Sequence, residues 1–217
     1  MQKERLGLED FTYKGNYFKQ ADLSKPYSML IDNHIWNMAS DSHILIAVRN
    51  NSNKSPYQEP SAFLRERFLY QFNAADLALG AINYKGLLDF GSLPKFDQCT
   101  SCKGTGKTEV ECDDCDHTHQ CMCAQCVGYG EYQPDYLVNV INDQYLLNAF
   151  FVNKICRFIP TDETETINVS YIDFIEYKTQ KLIKFSTSQW RIIIASMSGT
   201  MTEYQKRNAI AHRLNLL

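Results

Sequence analysis

CTSCKGTGKTEVECDDCDHTHQCMCAQCVGYG, residues 99–130, is the stretch on which the rest of the chain is organised. Seven of the eight cysteines and two of the five histidines of the 217-residue sequence fall inside it. Cys99-x2-Cys102 and Cys123-x2-Cys126 are each followed by the same tail, Lys103-Gly104-Thr105-Gly106 and Val127-Gly128-Tyr129-Gly130, which makes two copies of C-x2-C-x-G-x-G. A C-x2-C turn aims two thiolates at one ion, and the glycines after it let backbone amides fold back toward the sulfurs. Two such knuckles predict one closed site, with Cys99, Cys102, Cys123 and Cys126 as ligands.

Between the knuckles lie Cys112-x2-Cys115 and then His117, His119 and Cys121. Cys112, Cys115 and Cys121 with one imidazole predict a second tetrahedral site. His119 is the preferred fourth ligand, because His117 sits two residues after Cys115 and would crowd that knuckle; His117 is the alternative. Sulfur-rich four-coordinate sets favour zinc over hard cations, with iron compatible by ligand type. Two Zn²⁺ ions are therefore expected. Four protein ligands per ion leave no open position for a substrate, which argues against catalytic zinc. A disulfide framework is disfavoured by the zinc-type spacing and by an N-terminus, MQKERLGLED, without an apolar run.

The nested order, outer pair with outer pair and inner with inner, resembles the zinc domain of the DnaJ co-chaperones. The resemblance covers this module alone. His-Pro-Asp, the J-domain signature, is absent from the sequence, and only the first and last of the four repeats are intact, so co-chaperone activity is not implied.

Apolar residues make up 44% of the chain, enough for a core, and no run of 18 apolar residues suggests a membrane span. The expectation is a soluble protein in a reducing cytoplasm, that of the host if phage encoded. Net charge is −3. Within residues 99–130, Lys103 and Lys107 face Glu109, Glu111, Asp113, Asp114 and Asp116, and each metal–thiolate centre adds negative charge. Phosphate binding needs the opposite balance.

From Tyr27 the runs SMLIDN, HIWNMAS and HILIAVRN, separated by Asp32-Asn33 and Ser40-Asp41-Ser42, predict a β-meander. A helix is predicted over 62–79, capped by Ser61 and ended by Gly80, followed by a short apolar run within 81–98. After the metal module come a strand over 136–140, a helix over 143–153 capped by Asn142, and strands over 154–159, 167–177, 181–187 and 189–197. Residues 199–217 are read as a helical tail.

The second half, strand, helix and then several strands, resembles half of one domain of the bacterial sliding clamp, the DNA polymerase III β subunit. Tyr145-Leu146-Leu147 resembles the family's Tyr-Leu-Leu helix. Ile192-Ile193-Ile194-Ala195-Ser196-Met197 resembles its final strand with a methionine-containing tail, and Asn37-Met38-Ala39-Ser40-Asp41-Ser42-His43-Ile44-Leu45 its Ala-Thr-Asp-Gly-His-Arg-Leu segment. The resemblance implies an α+β fold of paired strand–helix–meander halves, 1–98 and 131–198, interrupted by the metal insertion 99–130. Arg213-Leu214-Asn215-Leu216-Leu217 loosely resembles the peptide by which proteins dock onto such clamps, although packing on the chain's own sheet is preferred.

Clamps line their DNA channel with Lys and Arg, whereas the 143–153 segment has no basic residue and Arg65 and Arg67 are offset by Glu66 and Asp76. The expectation is a non-enzymatic protein-binding module or inhibitor, of phage or prophage origin by analogy, with homo-oligomerisation possible. DNA binding and a chaperone-like role are the alternatives. His34, His43, Cys156 and the acidic run 161–166 are read as structural, and no phosphate loop, nucleophile elbow or H-E-x-x-H is present.

Overall fold

The computed structural model describes residues 6–14, 23–52, 54–73, 76–111, 118–126, 130–131, 137–159, 165–173, 181–197 and 210–216. The chain forms two compact units, one of Met1–Ser92 with Val138–Leu217 and the other of Leu93–Leu137. Each has its own buried cluster or clusters.

In chain order the strands and helices are β1 (Tyr27–Ile31), β2 (His34–Ser40), β3 (Ile44–Asn50), α1 (Ala62–Asn73), β4 (Leu77–Asn83), α2 (Tyr84–Gly91), β5 (Lys107–Glu111), β6 (Thr118–Met122), β7 (Val138–Ile141), β8 (Tyr145–Asn148), α3 (Ala149–Cys156), β9 (Thr166–Asp173), β10 (Lys181–Ser186), β11 (Trp190–Ala195) and β12 (Ile210–Leu214). A short 3₁₀ turn, Leu8–Phe11, precedes them. The architecture is mixed and mostly sheet.

The larger unit is built on a seven-stranded antiparallel sheet in the order β1-β2-β3-β11-β10-β9-β4. Its central strands are apolar on both sides because both faces are covered. Ile44, Ile46, Ile183, Phe185, Ile192 and Ile194 pack with α2, α3 and the three-stranded sheet β12-β7-β8. Their alternates Leu45, Ala47, Leu182 and Ile193 pack under α1 through Leu64, Phe68 and Phe72. Those three helix positions recur every four residues, the spacing of one helix face.

The meander forms as expected. Asp32 and Asn33 take φ of 49° and 61°, the two left-handed positions of a tight hairpin turn whose twist matches the flanking strands. Asp41 Oδ1 accepts from the amides of His43 (3.0 Å) and Ile44 (2.9 Å) and holds the second turn.

Elsewhere tertiary pairing overrides local pattern. The helix expected over 62–79 ends at Asn73, and Leu77–Asn83 pairs with β9 instead. Gly80, expected as a helix stop, has φ 145° at the register shift of that ladder. Arg191 Nη1 donates to the Phe72 carbonyl at 3.2 Å and satisfies the shortened helix end. The apolar run in 81–98 contains α2, which Asn83 caps by accepting from the Gly86 amide at 2.7 Å.

The helix expected over 143–153 starts six residues late. Asn142 and Asp143 take φ of 48° and 55°, a hairpin turn rather than a cap, so Tyr145–Asn148 becomes a strand paired with β7. Asn148 then caps α3 by accepting from Phe150 at 2.9 Å. The helix runs through Lys154–Cys156, where a strand was expected. Strands 136–140 and 167–177 appear as Val138–Ile141 and Thr166–Asp173, residues 136 and 174–177 lying outside the described residues.

The expected strand–helix–meander order therefore holds for the second half only, since in the first half the meander precedes α1. The tail is a strand rather than a helix: β12 lies parallel to β7, and Leu214 and Leu216 pack against the larger core. Asn142 ties it down, donating from its amide to the Leu214 carbonyl (2.9 Å) and accepting from the Leu216 amide (2.7 Å).

Candidate metal centre and a surface cleft

In the Leu93–Leu137 unit, β5 starts directly after Gly106 and β6 ends directly before Cys123, with Lys107 opposite Met122. The hairpin thus brings two knuckles 24 residues apart in sequence to one place. Cys99 N–H donates to the Gly130 carbonyl (2.8 Å) and Cys123 N–H to the Gly106 carbonyl (2.9 Å), a reciprocal pair, and Gln98 bridges Glu131 beyond. Within each knuckle an amide folds back on sulfur, Gly106 to Cys102 at 3.3 Å and Gly130 to Cys126 at 3.2 Å.

The glycines are required by geometry. Gly104 and Gly130 take φ of 82° and 79°, and a Cβ on Gly130 would strike the backbone of Gly104.

Cys99, Cys102, Cys123 and Cys126 are all buried, and their sulfurs lie within 4.8 Å of one another. A tetrahedral ion with metal–sulfur bonds of about 2.3 Å needs sulfurs about 3.8 Å apart. Cys99 to Cys123 is 3.8 Å and Cys102 to Cys126 is 3.6 Å. The donor set and its spacing fit a four-coordinate metal ion. Burial raises the Cys126 thiol to about 11, the Gly130 amide opposing and the neighbouring thiols adding to it. Cys102 is held below the usual thiol value: burial opposes ionisation there too, but donation from Gly106 and Cys126 outweighs it. A bound dication supplies the charge that lets four thiolates sit together.

Of the residues expected at a second site, Cys112, Cys115 and His117 lie outside the described residues, and of His119 only its place on β6 is described. Cys121 is exposed on β6 and is not one of the four clustered thiols.

The other singled-out residues are held structurally. His34 Nδ1 donates to the Asp32 carbonyl at 2.7 Å, and His43 stacks on Phe151 with ring centroids 5.6 Å apart. Cys156, expected in a strand, is buried at the end of α3 and donates to the Leu87 carbonyl at 3.3 Å; burial pushes its thiol up to about 12. Ser92 Oγ lies 2.9 Å from His212 Nε2, but its proton goes to the Asp89 carbonyl, so the histidine is the donor and the serine is not activated. Of the acidic run, 161–164 lies outside the described residues.

Two features of the larger unit escaped sequence reading. Lys184, inward-facing in the centre of the sheet, pairs with Asp76, which also accepts from Ser170 Oγ at 2.7 Å. Its shared parity with Leu182 in KLIKFS was the available signal. The second is a cleft of about 40 Å³ between α1 and the sheet. Leu23, Leu45, Leu64, Phe68, Leu182 and Ile193 form its apolar lining, and Ser40, Ser42, His43, Arg67 and Gln71 its polar one. No local signal marks it, because it exists only once α1 lies across β3, β11 and β10.

Among the described residues no helix is long and apolar enough to cross a membrane. No protein-family model matches the chain, and no curated protein sequence does. Among solved structures the chain is similar to the β subunit of the DNA polymerase of Streptococcus pyogenes, at 11% identity and TM-score 0.48, covering 92% of this chain and 62% of that one. It is also similar to a DnaN sliding clamp from Bartonella birtlesii, at 10% identity and TM-score 0.48 over 91% and 63%. A third likeness is to a DNA polymerase III β chain from Streptococcus pneumoniae, at 12% identity and TM-score 0.45 over 92% and 63%. The chain spans about three fifths of the length of the structures it matches. These are likenesses of backbone path with little shared sequence.

Proposed function

We propose that the chain is a non-enzymatic protein-binding module, stiffened by structural zinc, that docks a partner protein at the cleft between α1 and the sheet. The observation that carries this reading is the cleft's make-up: an apolar floor with a few polar groups at its wall, the composition of a recognition site for a protruding side chain. Two of the three stretches that resemble the clamp family's domain contribute to it, Ser40, Ser42, His43, Ile44 and Leu45 from one and Ile193 and Ala195 from another. The four cysteines support a structural ion, since four thiolates complete a tetrahedron, and soft sulfur donors favour zinc. A second zinc held by Cys112, Cys115, Cys121 and His119, or His117 in its place, belongs to the same proposal. So does inhibition of a host protein by a phage-encoded chain.

The test compares proteins retained from a bacterial lysate by the full chain and by Ala195→Trp, which fills the cleft, after matching thermal melts establish that both are folded. A partner retained by the first and lost by the second is the expected result. An identical set on both would remove the cleft from the account. Native mass spectrometry of the same samples is expected to count two zinc ions per chain, and a count of one would remove the second site.

A further inference from the structure

β12 covers the edge of β7 but matches it poorly. The pair is parallel, and its register slips between Ile210 and His212, so two residues of β12 stand against one of β7. His212, Leu214 and Leu216, the side chains that β12 and its extension turn inward, are only half-buried, whereas Val138, Asn139, Val140 and Ile141 of β7 are buried. Arg213 reaches Asp143 at 3.3 Å, but both side chains are more than half exposed, and such a surface pair holds little.

The mismatch is chemical as well. Asn139 stands opposite His212 and is fully buried; its Nδ2 donates to the Phe90 carbonyl, while its Oδ1 has no hydrogen-bond partner among the described residues. His212 cannot serve it. Nε2 donates to Ser92 Oγ at 2.9 Å, and a neutral imidazole has no second N–H to give. A buried acceptor left unpaired costs more than an ordinary hydrogen bond gains.

A groove runs between α2 and β12, with Asp89, Phe90 and Ser92 on one side and His212, Arg213 and Leu214 on the other. Take β12 away and its two basic side chains leave with it. The polar groups that remain are acceptors or acids: Asn139 Oδ1, Ser92 Oγ, and the carboxylates of Asp89 and Asp143. Asp89 lies in the last turn of α2, where the helix carbonyls add partial negative charge.

We propose that the edge of β7 is a docking rail for a basic, extended segment of a partner protein, which displaces β12 and runs parallel to β7. Its lysine takes the place of His212, its arginine that of Arg213 on Asp143, and its aliphatic side chains those of Leu214 and Leu216. A lysine ammonium has three N–H donors, enough to serve Ser92 Oγ and Asn139 Oδ1 together beside the Asp89 carboxylate. The main-chain ladder supplies affinity and the alternate side chains supply selection, as in other strand additions. β12 is the internal stand-in that keeps the edge paired until the better-matched strand arrives. This surface lies on the opposite face of the seven-stranded sheet from α1 and does not depend on the cleft there.

Fluorescence anisotropy on the full chain with two labelled heptapeptides, Ile-Ala-Lys-Arg-Leu-Asn-Leu and its Met-for-Lys counterpart, tests it. Arg213→Glu, an exposed change that sets like charges at Asp143, loosens β12; with an unchanged thermal melt it is expected to bind the lysine peptide more tightly than the unsubstituted chain does. In that variant the lysine peptide is expected to bind about tenfold more tightly than the methionine one, the scale of one charge-assisted pair. Adding Asp89→Asn is expected to shrink this preference severalfold. Hydrogen exchange at the Leu216 amide, which donates to Asn142 Oδ1 at 2.7 Å, is expected to speed up when the peptide binds. No binding to Arg213→Glu, equal binding of the two peptides, or binding that leaves the Leu216 amide protected overturns the proposal. Loss of peptide binding in Ala195→Trp would put the peptide under α1 and overturn it too, whereas failure of the lysate comparison for that cleft leaves the β7 edge standing.

Discussion

Removing the metal tests how the Leu93–Leu137 unit is held together. Its buried cluster is the four cysteines. Its hairpin leaves Val110 49% and Met122 64% exposed, and a lone two-stranded hairpin is marginal in water. Binding of a structural zinc contributes about 10–16 kcal/mol of folding energy in comparable small modules. If about two thirds of the lower figure offsets the ordering of the segment, about 3–4 kcal/mol remains as protection, or roughly 150- to 900-fold in amide exchange. The assay is hydrogen exchange of the full chain at neutral pH with and without an excess of a strong zinc chelator, metal loss being followed by native mass spectrometry. Amides of Cys99, Gly106, Cys123 and the β5–β6 ladder are expected to lose that protection, and those of β3, β10 and β11 to keep theirs. Slow exchange at Cys99 and Cys123 in verified metal-free protein would refute the reasoning, because the thiols would then be packing as an ordinary apolar core. Loss of protection throughout β10 and β11 would refute the separation of the two units.

The Asp76–Lys184 pair carries a pH dependence. Burial tends to raise the Asp76 carboxyl, but hydrogen bonds from Lys184 and Ser170 and the Lys184 charge outweigh it, so it lies below the usual carboxylate range. A carboxylate depressed on folding stabilises above its unfolded value, near 4, and that contribution is lost as pH falls through the lower folded value. Asp76→Asn is expected to cost about 2–3 kcal/mol in urea unfolding at pH 7, less than a fully buried pair because Asp76 is a third exposed, and to flatten the acid limb of the stability profile. No change in either would leave Lys184 without need of its partner. Gly91→Ala is expected to lower stability by about 1–3 kcal/mol in thermal melts, since the added carbon meets Cys156 Sγ and lies 3.2 Å from the Val152 carbonyl where α2 crosses α3. In native protein, iodoacetamide at pH 8 is expected to spare Cys156, whose thiol is buried and pushed up to about 12, and to alkylate it once urea unfolds the chain; peptide mapping that finds Cys156 modified before unfolding would contradict its placement.

The clustering of Cys99, Cys102, Cys123 and Cys126 was legible because their spacing is encoded at short range. Two residues between cysteines and a glycine at the second and fourth positions after the second cysteine fix each knuckle through backbone geometry alone, and repetition of that pattern predicts that the two knuckles come together. The meander was legible for the same reason: Asp32-Asn33 supplies its own left-handed turn, and β2 and β3 are paired across three residues of connection. Tertiary structure decided what depends on distant partners. The same Asn-Asp chemistry at 142–143 could cap a helix or turn a hairpin, and pairing of Tyr145–Asn148 with β7 made it a hairpin. Leu77–Asn83 had a helix before it to extend, and β9, some 90 residues on, captured it as a strand. Ile210–Leu214 became a strand because β7 offered an open edge. The cleft, with Arg67 at its wall, and the Asp76–Lys184 pair belong to this second kind: each joins side chains that meet only after the sheet has closed, so no local spacing can announce them.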